Sequence, residues 1–134
     1  MTRSVLSTVP GGQSLIQWFG RVPRFRDAEV LDITIAAGMP SVLRIHTWIS
    51  TDKVDDRGKS VTDRHAIVTV SLDEVTYIAL TDFNMMPGII FDLEMSRFED
   101  EFQIFWFGSY GVAGTLRARR IHIDFQPAHR AGSL

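Results

Sequence analysis

Two carboxylates, Asp27 and Glu29, stand close together at the start of an apolar stretch. In an extended backbone, residues two apart project to one face, so both carboxyl groups would point the same way. Two carboxylates in one cleft are what general acid–base and glycosidic chemistry require. No matching partner motif follows, and charged residues at a strand entrance commonly cap amides or pair with arginine. For Asp27 and Glu29 a structural role is therefore favoured over a catalytic role in a hydrolase. No residue is assigned as catalytic.

A stripe of polar and aromatic residues is the second candidate. Arg44, His46 and Trp48 alternate with the apolar Leu43 and Ile45, so the three should share one face of a strand. Trp and Arg are favoured anchors of protein interfaces, which makes this stripe a candidate contact surface. The alternative is a solvent-facing strand whose Trp covers a neighbour.

His122 and Asp124 are two residues apart, a spacing that could direct both side chains at a metal ion. Two ligands do not make a site, however. The remaining histidines, His46, His65 and His129, show no ligand spacing. No metal and no cofactor is therefore expected.

Charged residues gather in a few short segments. Arg117, Arg119 and Arg120 could contact phosphate, but a solvated face, or pairing with the acids at 99–101, is favoured. Further acids at 52–56 lie in a polar stretch that reads as a loop. Acidic loops of this kind could be steered into a basic cleft of a partner. For each loop by itself, however, charge that only reflects solvation of the loop tip is favoured.

The elements that must position these residues are mostly strands. A short helix is predicted at 14–19, followed by period-two alternation that is typical of strands. Residues 51–63 are predicted to be a long hairpin loop, and 102–107 a strand that is aromatic, and therefore buried, on both faces. The apolar parity changes in the last strand, which predicts a β-bulge near Arg119–Arg120. The strands are predicted at 29–36, 41–50, 65–72, 75–80, 89–95, 102–107 and 116–125.

These patterns predict an all-β fold of seven to eight antiparallel strands in a sandwich or partly open barrel, with a short N-terminal helix. We expect a flexible leader over 1–12, a single domain over 13–126 and a flexible tail over 127–134.

The composition narrows the classes of function. The chain has 134 residues, of which 45% are hydrophobic and 22% charged, with a net charge of −2 and no cysteine. The charge argues against general binding to nucleic acid or to anionic membranes. No apolar stretch approaches the roughly 20 residues that span a bilayer. The lack of cysteine excludes disulfides and fits a reducing compartment, so a cytoplasmic location is expected.

The segment 18–30 reads Trp-Phe-Gly-Arg-Val-Pro-Arg-Phe-Arg-Asp-Ala-Glu-Val. Its Phe-x-Asp-Ala-Glu-Val pattern, after an aromatic-Gly pair and a Pro, resembles the opening motif of the immunity protein 50 family. Segments 80–84 and 110–115 also fit that family. Where such sequences usually have His, this chain has Arg26. The resemblance implies that the following residues define the fold: Trp18, Phe25, Asp27, Glu29, Asn84, Gly111 and Gly114.

Immunity proteins of this family neutralise toxins of bacterial polymorphic toxin systems. The resemblance therefore implies stoichiometric binding to a cognate toxin domain, without turnover and without nucleic acid or membrane; a homodimer is left open. The residues expected to contact the toxin are Arg44, Trp48, Asp55, Asp56, Glu99, Asp100 and Glu101.

A small-molecule-binding β-barrel is the alternative. It requires a deep apolar cavity whose mouth would be lined by Phe83, Met85, Met86, Phe105 and Trp106.

Overall fold

The computed structural model describes residues 5–58 and 60–128, and at 50–53 and 60–63 it describes the backbone alone. A 3₁₀ turn at Leu6–Thr8 precedes helix α1 at Gly12–Phe19, which confirms the predicted helix and begins it two residues earlier. The strands that follow are β1 (Glu29–Thr34), β2 (Ser41–Val54), β3 (Ser60–Thr81), β4 (Gly88–Phe98), β5 (Glu101–Tyr110) and β6 (Ala113–Pro127).

The six described strands form one closed antiparallel barrel in the order β1-β2-β3-β6-β5-β4. The predicted count of seven to eight is wrong because segments 65–72 and 75–80 belong to one strand, β3, of 22 residues. The predicted loop at 51–63 is also too long. β2 and β3 extend into it and leave a tight turn, in which the Gly58 amide donates to the Asp55 carbonyl.

The change of apolar parity in β6 is present, but it is not a bulge. The inward side chains change from Ala118 to Ile121, and both Arg119 and Arg120 are exposed. β3 makes the same change at the same level, where Glu74 has a φ of 56°. Because both strands switch faces together, their pairing stays in register there. The irregularity of this ladder falls instead between Val75 and Tyr77.

The barrel interior is filled by side chains. Trp106, Ile104 and Leu116 are at most 1% exposed, and the Trp106 indole N–H donates to the Val112 carbonyl at 3.0 Å. Phe105 lies on the opposite face of β5 and is 41% exposed. The residues proposed for the mouth of a small-molecule barrel therefore do not face one cavity, because β5 alternates between them.

From Val5 onward, the segment that was expected to be a flexible leader packs against the barrel. Leu6 and Val9 are 2% and 3% exposed, within the same core as the strands. The Val5 amide donates to the Met95 carbonyl at 3.0 Å. Burial of a side chain such as Leu6 contributes about 1.5–3 kcal/mol, so the segment from residue 5 is part of the fold.

The C-terminal strand runs past the expected domain end. β6 ends at Pro127, and the next amide, of Ala128, donates to the His65 carbonyl at 2.7 Å. The rest of the expected tail, including His129, lies outside the described residues. Among the described helices, none has the length and apolar character needed to cross a membrane.

Gly114 lies where β6 passes closest to β3. Its φ is 151°, and a Cβ there would lie 1.9 Å from the carbonyl oxygen of Ala79. We expect Gly114→Ala to lower the free energy of unfolding by about 3 kcal/mol, because the backbones must separate. Gly38 has a φ of 78° but nothing within 4 Å, so Gly38→Ala should cost only about 1 kcal/mol. Urea denaturation of both variants measures the difference, and equal losses would contradict this explanation.

Candidate functional site

Three neighbouring strands bring an acid and two histidines together on the outer face of the barrel. Glu29 of β1 lies opposite His46 of β2, and His46 lies opposite Ile67 of β3, two residues from His65. Leu43 and Ile45 point into the core, so His46 points outward with Arg44 and Trp48, as the alternation predicted. His46 is nonetheless only 1% exposed, because its neighbours cover it.

Two hydrogen bonds connect Glu29, His46 and His65 in series. His46 Nδ1 is 3.0 Å from Glu29 Oε1, and His46 Nε2 is 3.1 Å from His65 Nδ1. An ionised carboxylate can only accept, so His46 Nδ1 carries the hydrogen and donates it to Glu29. When His46 is neutral, its Nε2 then accepts from the Nδ1–H of His65. The carboxylate thus sets the tautomer of both rings.

The two rings hold Trp48 in place. Its indole lies 4.9 Å from the His46 ring and 5.5 Å from the His65 ring, and it stacks on the latter at an interplanar angle of 28°. Each such contact contributes about 0.5–1.5 kcal/mol beyond the area it buries. Trp48 therefore presents a fixed face to its surroundings.

A loop pinned to β4 lies beside Trp48. Phe25 is 5% exposed, and the Asp27 amide donates to the Ile90 carbonyl at 2.8 Å, while the Ile90 amide donates to Ala28 at 2.8 Å. Positive φ values of 60° at Phe25 and 65° at Asp27 turn the chain sharply there. Phe25 is thereby buried while its charged neighbours stay at the surface.

Between this loop and β2 lies an open groove of about 220 Å³, formed by residues 21–27 on one side and by Trp48 and Ile49 on the other. The exposed side chains of Arg21, Arg24 and Arg26 border it. Asp27 is the one acid among its lining residues. We call it the arginine groove.

An exposed aromatic row continues from the groove along β4 and β5. The Phe91 and Phe107 rings are 5.3 Å apart, and the Phe107 and Phe105 rings are 6.1 Å apart. The Arg26 guanidinium lies 4.7 Å from the centre of the Phe91 ring, which connects the row to the arginine groove. Phe91, Phe105 and Phe107 are 43%, 41% and 45% exposed, so the prediction that β5 is buried on both faces is wrong. We call these three residues the phenylalanine row.

The predicted pair of carboxylates does not form as expected. Asp27 lies in the turn rather than in the strand, and its left-handed backbone breaks the alternation that would align it with Glu29. Glu29 instead accepts from His46. The hydrolase interpretation thus loses the geometry on which it was based.

The residues predicted to contact a partner fall into three places. Arg44 and Trp48 lie on the face of β2, Asp55 and Asp56 in the β2–β3 turn, and residues 99–101 at the β4–β5 turn. Asp55 also shapes its own turn, since its side chain accepts from the Arg57 amide at 2.8 Å. Of the third group, Glu99 and Asp100 are exposed, and Glu101 accepts from Thr76.

Arg44 already has a partner within the chain. Its Nη2 lies 2.6 Å from Asp32 Oδ2, and its Nε donates to both carboxylate oxygens of Asp32. This hydrogen bonding raises the pKa of the Arg44 guanidinium, against a smaller opposite effect of burial. The pair is half-exposed and contributes at most about 1 kcal/mol.

The remaining predicted clusters are divided among local contacts. Arg117 donates to Gln103 at 2.7 Å and Arg120 pairs with Glu74 at 3.1 Å, so neither pairs with the acids at 99–101. His122 Nε2 and Asp124 Oδ2 are 3.9 Å apart. Within the described residues, no group of three His, Asp or Glu side chains is arranged to hold a metal ion.

Sequence reasoning missed the hydrogen-bonded chain and the arginine groove. Glu29, His46 and His65 are separated by up to 36 residues in the chain, and only strand pairing joins them. The repeated arginines of segment 21–26 are visible in the sequence. That they border the same groove depends on the turn at Phe25 and Asp27, which the sequence pattern did not predict.

We expect Glu29→Ala to lower the free energy of unfolding by about 1–3 kcal/mol, because the buried His46 Nδ1–H loses its acceptor. Trp48 emission should shift to longer wavelength as its ring support loosens. Asp124→Ala is the matched control, since that side chain is 79% exposed and should change stability by less than about 0.5 kcal/mol. Chemical denaturation and emission spectra measure both effects; an unchanged Glu29→Ala protein would show that the chain of hydrogen bonds supports nothing.

The chain matches no protein-family model, no curated protein and no solved structure. The resemblance of its motifs to the immunity protein 50 family stays a prediction.

Proposed function

We propose that this chain is an immunity protein that neutralises a bacterial toxin by stoichiometric binding in the cytoplasm. The observation that carries the proposal is the phenylalanine row, in which the exposed Phe107 ring contacts both the Phe91 and the Phe105 ring on the outside of the barrel. Contiguous exposed apolar surface of this kind marks sites of interaction on globular proteins. The family resemblance of segment 18–30 supports a toxin as the partner.

The energetics favour a protein as the occupant of the row. Complete burial of an exposed aromatic side chain contributes up to about 1.5–3 kcal/mol, and interface hot spots are rich in aromatic residues and Arg. Arg26 stacks on Phe91 at one end of the row, so both kinds of anchor lie side by side. Binding here would occlude the toxin by covering it, with no chemical step.

The acidic turns have a different part in this proposal. Asp56 and Asp100 are exposed at two turns, where they can attract a basic toxin surface before contact. Such charges raise the association rate more than the final affinity. Anchoring is therefore assigned to the phenylalanine row, and steering to the turns.

A small-molecule carrier is less well supported than a binding protein, because Trp106 and its neighbours occupy the inside of the barrel. No observation on the described residues favours that second function over the first.

Co-expression with the product of the neighbouring gene tests the proposal. We expect a one-to-one complex by size-exclusion chromatography with light scattering, and growth of cells that the neighbouring product alone would kill. A toxic neighbour that is neither bound nor neutralised would overturn the proposal.

We expect Phe107→Ser to weaken the complex about 30-fold or more, because the central side chain of the row is lost. The free energy of unfolding of the Phe107→Ser protein should change little, since the Phe107 ring is half-exposed. Phe83→Ser is the control, because Phe83 is 51% exposed and lies outside the row. Calorimetric titration with the toxin measures both affinities, and equal effects would exclude the row as the anchor.

A further inference from the structure

The three arginines of the arginine groove have no anionic partner among the described residues. Across the described residues, neither a hydrogen bond nor an ion pair involves the side chains of Arg21, Arg24 or Arg26. Other arginines do have such partners, as Arg44 has Asp32 and Arg120 has Glu74. Three guanidinium groups thus border one groove with a single carboxylate, in a chain whose net charge is −2.

The opposite wall of the groove is rigid and apolar. Trp48 is held by the His46 and His65 rings, and Glu29 in turn orients His46. A wall that is already ordered loses little conformational freedom on binding, which favours affinity. The groove therefore offers a flat apolar surface beside a fork of guanidinium donors.

We infer that the arginine groove binds an acidic segment of the partner protein, with a side-chain carboxylate on Arg21 and Arg24 and its aliphatic or aromatic neighbour against Trp48. Guanidinium matches carboxylate geometry with two parallel hydrogen bonds. The inference rests on the proposed function, since the segment belongs to the bound toxin. At the acidic turns, this chain contributes the acids and the toxin the basic surface. In the arginine groove the toxin contributes the acid instead.

Size and charge favour a peptide over a nucleic acid. The groove holds about 220 Å³, room for one or two side chains and below the usual 300–1,000 Å³ of small-molecule sites. Asp27 stands in the groove, where the successive charges of a nucleic-acid backbone would repel it more than the single carboxylate of a peptide side chain would. The net charge of −2 also opposes a long polyanion.

The groove adjoins the proposed anchor. Arg26 borders the groove and also stacks on Phe91, so a segment in the groove would continue onto the phenylalanine row. One extended partner segment could therefore place an acidic residue at Trp48 and apolar residues along β4 and β5.

The test uses a blocked pentapeptide of four glutamates around one phenylalanine as the probe. NMR titration follows the three indole N–H signals of the chain. We expect saturable shifts at Trp48 and none at the buried Trp106. The matching glutamine peptide and a thymidine oligonucleotide are the comparison ligands. Equal binding of the glutamine peptide, or tighter binding of the oligonucleotide, would overturn the inference.

The double variant Arg21→Gln/Arg24→Gln should bind the glutamate peptide about tenfold or more weakly, because it loses the charged donors. Arg57→Gln/Arg119→Gln is the matched control; it removes the same charge from two exposed positions outside the groove and should bind as the unmodified chain does. Equal losses in both doubles would reduce the effect to net charge and overturn the inference. Unchanged melting temperatures exclude misfolding, and Arg21→Gln alone serves if the double is unstable.

The same variants separate this inference from the proposed function. If the Arg21→Gln/Arg24→Gln protein still binds and neutralises the toxin with full affinity, the groove is not a toxin contact and the inference fails while the function stands. If the peptide binds but no toxin is neutralised, the proposed function fails and the inferred toxin origin of the segment fails with it.

Discussion

The arrangement of the outer surface depends on a short seam that closes the barrel. β1 and β4 pair only at Glu29–Ile89 and Val30–Gly88, and the turn before β1 adds two backbone hydrogen bonds to Ile90. The loop 21–27 that leads into this seam lies beside Trp48, while the β1–β2 pairing places Glu29 beside His46. It also brings Arg26 over Phe91, a residue of β4. A few hydrogen bonds of the seam thus bring the arginine groove next to the phenylalanine row.

The alternation of its strands divides the side chains of the barrel between the core and the outer surface. On β5, Ile104 and Trp106 fill the core, whereas Phe105 and Phe107 lie outside and are half-exposed. Because they stay half-exposed, the outward residues contribute less to folding than their apolar character suggests. The buried His46 is an exception to this division, because it lies on the outer face and is covered by other side chains rather than by the core.

Charge is distributed locally in a way that the net charge hides. The chain carries −2 overall, yet the arginine groove concentrates three guanidinium groups, and acids lie at the turns of two hairpins. At physiological ionic strength such regions act separately beyond about 8 Å, the screening length. A positive groove and negative turns thus coexist on the same molecule.

The spacing of apolar residues in the sequence was enough to predict an all-β fold, helix α1 and the outward face shared by Arg44, His46 and Trp48. It could not predict that segments 65–72 and 75–80 form one strand, because Asp73 and Glu74 look like a turn while the paired β6 switches faces with them. Nor could it separate a sandwich from a closed barrel. Asp27 was expected in an extended strand, but its amide bonds to Ile90 in a left-handed turn.

Within a strand such as β2, the sequence by itself determined which side chains share a face, since period-two geometry is a property of a single strand. Only the tertiary structure decided which residues of other strands these side chains contact. Glu29, His46 and His65 meet because three strands pair in one register, and Arg26 meets Phe91 because the barrel closes there. Register and closure depend on all the hydrogen bonds and core contacts of the sheet together, so no local pattern specifies them.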